Sequence, residues 1–244
     1  MKRGKFCAKT MLFKKAGNFE KIKRLKDFNQ KSLKILDVGL GNAQIALQLK
    51  RLGHDVQGVD ISSKCVRTAE KKGIRTKRFN IEKGLPFESK NFDLVICTDV
   101  IEHIRNMKAL LKAIRRVLKE DGQLILGIPN HFDLRNRINI FLGQGIVHWD
   151  QKKYAKAYNY DHIRFLSLKD FLSLIKASNF YCSYQQYNFM GGGIVPTRFT
   201  PETFRLFLLK RFPQLFSGKF IFLLRKVKSK SVNKIFIPFT PKGL

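Results

Sequence analysis

The nine residues Ile35-Leu36-Asp37-Val38-Gly39-Leu40-Gly41-Asn42-Ala43 constrain this chain more than any other stretch. A short apolar and β-branched run meets two glycines, and the helical pattern Gln44-Ile45-Ala46-Leu47-Gln48-Leu49 follows at once. That order predicts strand, tight turn and helix. Glycine permits turn dihedrals closed to other residues, and the amides of the following helix point into the gap the turn leaves. Such a turn either joins two elements and nothing more, or holds a ligand.

The next segment favours the ligand. Asp55-Val56-Gln57-Gly58-Val59-Asp60 is a second apolar run ending in an acid, about twenty residues after the glycines. This is the spacing of a βαβ nucleotide unit, in which the carboxylate on the second strand tip accepts ribose hydroxyls.

The same rhythm continues. Gly53 stops the first helix, Ser62 or Ser63 caps a second that runs to Gly73, and a short third strand spans Thr76 to Asn80. Phe92-Asp93-Leu94-Val95-Ile96-Cys97 reads as a strand buried on both faces. An amphipathic helix through Leu110, Leu111, Ile114, Val117 and Leu118 ends at Asp121-Gly122, and Gln123 to Ile128 forms the fifth strand. Strands alternating with helices predict βαβ crossovers and a doubly wound, mostly parallel sheet. Residues 131–165 break the pattern with a polar, aromatic stretch that includes His148, Trp149, Tyr154, Tyr158 and Tyr160, read as an ordered lid. Ser167 then caps a helix to Ala177, Phe180 to Tyr187 is a strand, Gly191 to Gly193 a loop, Thr200-Pro201-Glu202 a helix start, and Lys219 to Leu224 a last strand.

With 244 residues, 44% of them hydrophobic, the chain can bury one full α/β core. Residues 1–33 form a basic, weakly amphipathic extension, 34–226 the domain, and 227–244 a basic tail. Forty-eight Lys and Arg against eighteen Asp and Glu, net +30, create a field attractive to nucleic acid, anionic lipid or phosphorylated substrates; a lysine-rich proteome produces the same excess. Cys7, Cys65, Cys97 and Cys182 lack zinc-ligand spacing and read as reduced. No segment has the ~20 apolar residues of a membrane span or a signal-type apolar core, so a cytoplasmic chain is expected, free or peripheral to the inner face of the membrane.

The order of these motifs resembles that of class I S-adenosylmethionine-dependent methyltransferases over roughly residues 33–226. Ile35 to Gly41 is similar to the glycine-rich motif, Asp60 matches the ribose-binding acid, and Asn80-Ile81 stands where an Asp or Asn and an apolar neighbour contact adenine. Leu85-Pro86-Phe87, Asn91-Phe92-Asp93-Leu94-Val95 and Val100-Ile101-Glu102-His103-Ile104 resemble the signature of the small-molecule branch. Ala43, where a third glycine is frequent, and Leu40, in place of a small residue, depart from the pattern. The resemblance implies a Rossmann-like sheet of seven strands closed by a C-terminal antiparallel hairpin near 180–188 and 219–226. It also implies S-adenosyl-L-methionine as cofactor, held by Asp37, Gly39, Gly41, Asn42, Asp60, Ile61, Asn80, Ile81 and Asp99.

Methyl transfer is a displacement at the sulfonium methyl, so positioning the acceptor in line, in a dry site, carries much of the rate. Asp99, Glu102 and His103 at i, i+3 and i+4 share one side of a helix start. They either cap that helix, or supply His103 as general base. A third option, carried by resemblance to metal-dependent 2′-O-methyltransferases and quinone-pathway O-methyltransferases, is a divalent metal on Asp99, Glu102, His103 and His162. His131, at the tip of the fifth strand, and His162 are further catalytic candidates; Arg164 either faces substrate with His162 or pairs with Asp161.

The expected activity is O-methylation of a small molecule, sugar or lipid-linked intermediate. The alternatives are an RNA methyltransferase, motivated by the charge, and a non-catalytic basic protein whose Phe204, Phe207, Phe212, Phe216, Phe220 and Phe222 lie on anionic membrane.

Overall fold

Successive side chains of a strand point to opposite faces of its sheet, and here both faces are covered. In a computed structural model describing residue 28 and residues 31–143, 162–189 and 201–227, this alternation sorts the core into two layers. Leu36, Val38, Val95, Cys97, Leu124, Leu126, Phe220 and Phe222 point to one side; Ile35, Leu94, Ile96, Ile125, Ile221 and Leu223 point to the other. Burial on both faces explains why these segments read as continuous apolar runs.

The strands are β1 (Lys34–Val38), β2 (Asp55–Asp60), β3 (Arg75–Arg78), β4 (Phe92–Thr98), β5 (Leu118–Pro129), β6 (Phe180–Phe189) and β7 (Ser217–Lys226). They form one seven-stranded sheet in the order β3-β2-β1-β4-β5-β7-β6. The first five strands run parallel, and β7 is antiparallel to both β5 and β6, as the expected closing hairpin requires.

The helices are α1 (Gln44–Arg51), α2 (Ser63–Lys71), α3 (Met107–Val117), α4 (Leu134–Phe141), α5 (Leu168–Ala177), α6 (Glu202–Arg211) and the single turn α7 (Pro213–Phe216). Local chemistry starts them where the sequence indicates. Ser62 accepts from the Cys65 amide at 3.4 Å, and Ser167 accepts from Asp170 at 3.1 Å. Leu110, Leu111, Ile114 and Val117 of α3 and Phe171, Leu174 and Ile175 of α5 cover the first layer; Ile45, Ala46 and Leu49 of α1 cover the second. Phe28, from the basic extension, is buried in that second layer against the His54 ring.

Several expectations change. The stretch after β5 is not wholly irregular: Asp133 accepts from the Asn136 amide at 2.9 Å and starts α4. Its apolar residues do not face the core, so no burial pattern announced it. Asp99, Glu102 and His103 do not share a regular α-helix start, because Asp99 adopts φ 57° and only Ile101–His103 form a single 3₁₀ turn. The phenylalanine series divides: Phe220 and Phe222 are core, while Phe204, Phe207 and Phe212 are exposed. Cys97 and Cys182 are outside any disulfide, but Cys65 is disulfide-bonded, a pairing that one-dimensional spacing does not reveal. His148, Trp149, the tyrosines at 154, 158 and 160, Asp161 and Gly191 to Gly193 lie outside the described residues.

Candidate active site at the carboxyl edge of the sheet

In the loop after β1, Gly39, Gly41 and Ala43 all take left-handed dihedrals, φ 66°, 55° and 59°. A Cβ on Gly39 would stand 2.5 Å from Val100 Cγ2, so the glycine serves both the turn and the close approach of the loop after β4. Leu40, the departure noted above, is buried over β2: a Cβ on Gly58 would lie 2.8 Å from Leu40 Cδ2. The larger loop side chain is thus accommodated by a missing one on the neighbouring strand.

Asp60 organises the mouth of this loop. Its Oδ2 accepts from the Gly41 amide at 3.0 Å and its Oδ1 from the Ser62 amide at 2.8 Å. Each carboxylate oxygen has a second lone pair, which leaves acceptor capacity for ribose hydroxyls. Ile61 beside it is 63% exposed, an apolar surface suited to a ligand. Asp37 is buried on β1, and Asn42 is buried with its Nδ2 lacking a hydrogen-bond partner among the described residues. An orphaned amide donor on Asn42 and an acceptor carboxylate on Asp60 fit the polar ends of S-adenosylmethionine. Asn80 caps the 3₁₀ turn Ile81–Lys83, accepting from the Glu82 amide at 3.0 Å, and Ile81 packs half-buried against the core.

Asp99 is held by an ion pair. Its Oδ2 accepts from Lys219 Nζ at 2.7 Å, the ammonium arriving from β7 past Gly127, where a Cβ would meet Lys219 Cε at 3.3 Å. Nothing local flagged Lys219, because the contact joins residues 120 positions apart.

The three candidate histidines converge. His131 Nε2 lies 2.7 Å from His162 Nδ1, His162 Nε2 lies 3.8 Å from Glu102 Oε1, and the His103 ring meets His162 edge-on at 4.7 Å between centroids. His131 and Glu102 are buried. The Glu102 carbonyl accepts from the Ile163 and Arg164 amides at 3.0 and 3.1 Å, which ties the segment before α5 to the turn after β4. Arg164 supports that junction, donating to the Ile104 and Arg105 carbonyls, a role neither of its expected alternatives anticipated. Asn136 Nδ2 holds the His131 carbonyl at 3.0 Å. Below, Asn130 Nδ2 donates to the Gln214 and Ser217 carbonyls at 2.8 and 2.6 Å and seats the β5 tip against α7.

Glu102, His103 and His162 present ligand atoms within 4.8 Å of one another, a donor set that suits a divalent cation. Asp99 is not among them, engaged as it is by Lys219.

A doubly wound sheet with a glycine loop, a ribose-type acid at the second strand tip and a polar cluster at the same edge defines a class I S-adenosylmethionine-dependent methyltransferase. The sequence profile of the methyltransferase domain family matches residues 12–185, and the chain belongs to that family. An uncharacterized protein of Methanocaldococcus jannaschii is 33% identical over 147 residues, 59% of this chain and 63% of that protein. The mitochondrial ubiquinone biosynthesis O-methyltransferase of Rattus norvegicus is 28% identical over 124 residues, 47% of this chain and 36% of that enzyme. The chain therefore spans less than two thirds of the length of these curated relatives. Among solved structures, a possible histamine N-methyltransferase of Thermotoga maritima superposes with TM-score 0.59 at 18% identity, covering 86% of this chain and 88% of that one. At that identity the likeness shows the fold.

Proposed function

We propose that this protein transfers the methyl group of S-adenosylmethionine to an oxygen of a small molecule, sugar or lipid-linked intermediate. The observation that carries the reading is the convergence of His131, His162, His103 and Glu102 at the carboxyl edge that also bears the glycine loop. Doubly wound sheets bind their ligands at this edge. The similarity to ubiquinone O-methyltransferases supports an oxygen acceptor.

The roles follow from geometry. The cofactor, when bound, supplies an electrophilic methyl on a positive sulfur. Asp60 would hold the ribose hydroxyls, and Asp37 with the Gly39-to-Asn42 loop would hold the amino-acid end. An acceptor oxygen would take that methyl as the carbon–sulfur bond breaks, with S-adenosylhomocysteine as the leaving group. The hydroxyl proton passes to an imidazole, with His162 backed by His131 at 2.7 Å and the Glu102 carboxylate at 3.8 Å.

The three-donor set favours a second reading, in which Glu102, His103 and His162 hold a divalent cation that would polarise the acceptor oxygen. Labelled cofactor, incubated with the chain and fractionated small-molecule and lipid extracts, tests the first reading: label in a base-stable ether product supports it, and label confined to RNA overturns it. Repeating the assay in chelator separates the two. Full activity is expected, and a loss restored by added cation would turn the histidines into ligands.

A further inference from the structure

The exposed apolar side chains are not scattered over the described surface. Leu52, between α1 and β2, lies at the amino end of the sheet. The other large exposed apolar residues belong to segments that leave or re-enter the carboxyl edge. Two groups dominate. On α4 and just past its end, Ile138, Ile140, Phe141 and Leu142 face solvent, Phe141 at 89% exposure. On the connection from β6 to β7, Phe204, Phe207 and Phe212 do the same, with Phe204 and Phe207 at 50% and 55% and their rings stacked 6.3 Å apart. Both ends of that connection sit at the active-site edge, because Phe189 pairs with Ser217 and Lys219 pairs with Pro129.

Helix α6 shows the anomaly most plainly. It buries Leu208 and Leu209, yet Phe204, one turn before Leu208, and Phe207, across the helix from Leu209, stay exposed. A helix apolar on both sides is ordinarily buried on both sides. Cations border these exposed rings: Lys210 and Arg211 are exposed, and the Arg211 guanidinium lies 4.9 Å from the centre of the Phe212 ring. Arg137 is exposed beside the α4 group, and Glu202 is the one exposed acid on α6. Aromatic and aliphatic side chains rimmed by Lys and Arg, in a chain of net charge +30, match a surface with an anionic face and an apolar interior.

We infer that this edge docks on an anionic lipid bilayer, inserting the exposed rings of α6 and the end of α4. RNA shares the negative charge and stacks on phenyl rings, but Ile138, Ile140 and Leu142 offer no stacking face, so the aliphatic group on α4 fits lipid and not RNA. Docking in this orientation sets the histidine cluster toward the membrane. That the acceptor is drawn from the bilayer rests on the methyl-transfer reading; the docking itself does not.

The test is sedimentation of the full chain with vesicles of phosphatidylglycerol and phosphatidylcholine, and with vesicles of phosphatidylcholine alone. We expect binding at least about tenfold stronger to the anionic vesicles, since several basic residues near such a surface attract it together. Phe204→Ser/Phe207→Ser and, separately, Lys210→Glu/Arg211→Glu are each expected to lower that binding by about tenfold or more. These are surface positions, and calorimetric binding of S-adenosylmethionine at wild-type affinity shows that each variant has folded. Equal binding to both vesicle types, or wild-type binding by both variants, overturns the proposal. So does filter binding in which the Phe204/Phe207 variant loses bulk RNA but keeps lipid. Vesicle binding without cofactor binding would instead sink the methyl-transfer reading and leave the docking surface standing.

Discussion

His131 Nε2 stands 2.7 Å from His162 Nδ1, although 31 residues separate them. One ring must donate and the other accept, so a proton taken up by either is shared with its neighbour, and Glu102 lies close enough to favour the resulting positive charge. On this arrangement, His162→Ala or His131→Ala lowers turnover by about 10² to 10⁴. The affinity for S-adenosylmethionine stays within about twofold, because these groups act on the acceptor proton. Steady-state kinetics alongside calorimetry make the comparison; a parallel loss of cofactor affinity would assign the cluster a structural role.

Gly39 has the least freedom to change in the glycine loop. Alanine there meets both a left-handed backbone at φ 66° and Val100 Cγ2 at 2.5 Å. Gly39→Ala should cost about 2–4 kcal/mol of stability from the two effects together. Cofactor affinity should fall with it, read by urea unfolding and calorimetry. A variant that unfolds and binds like the parent would show that the loop is looser than its dihedrals indicate.

Ala43 is the opposite case. It holds φ 59° without the freedom of glycine, yet its methyl is fully buried in the second core layer. Ala43→Gly relieves about 1–2 kcal/mol of backbone strain and forfeits about 0.8 kcal/mol of methyl burial. The expected net gain is up to about 1 kcal/mol, visible as a higher urea midpoint. A loss above about 1 kcal/mol would show that packing dominates at this position.

Asp93 gives the fold an acid-sensitive contact. Burial raises its tendency to protonate, but the Lys119 hydrogen bond at 2.9 Å, the Lys34 amide at 2.8 Å and the charges of Lys119 and Lys31 prevail, holding it below its ordinary 3.8. A carboxylate depressed on folding stabilises the fold above its unfolded pKa, and that contribution fades as pH falls through the lower folded value. Asp93→Asn should therefore cost up to about 1 kcal/mol near neutrality, the modest size reflecting solvent screening. The gap to the parent should close below about pH 4 in unfolding curves taken across the acid range. A gap independent of pH would remove the charge from the explanation.

Much of the fold was legible because its causes are local. The unbroken apolar run Leu94 to Cys97, the Ser62 and Ser167 caps and the glycines after β1 each act within a few residues, so residue type and spacing suffice. The glycine loop shares this property: Gly39, Gly41 and Asp60 lie in one βαβ unit, and the amide of Gly41 reaches Asp60 over 19 positions. Helix α4 was not legible, since its exposed Ile138, Ile140 and Phe141 carry no inward stripe.

The histidine cluster is a product of topology. His103, His131 and His162 are each ordinary in sequence, and they meet because β4 and β5 run parallel in register, Thr98 opposite Gly127, while Glu102 draws in the segment before α5. Asp99 finds Lys219 only because β7 runs back antiparallel beside β5. The sequence by itself determined the sheet, its two apolar faces and the glycine loop, whose interactions are short-range. Only the tertiary structure decided the histidine cluster, the Asp99–Lys219 pair and the apolar rim of the site. Each depends on which strand lies beside which, and long-range pairing of that kind leaves no local pattern to read.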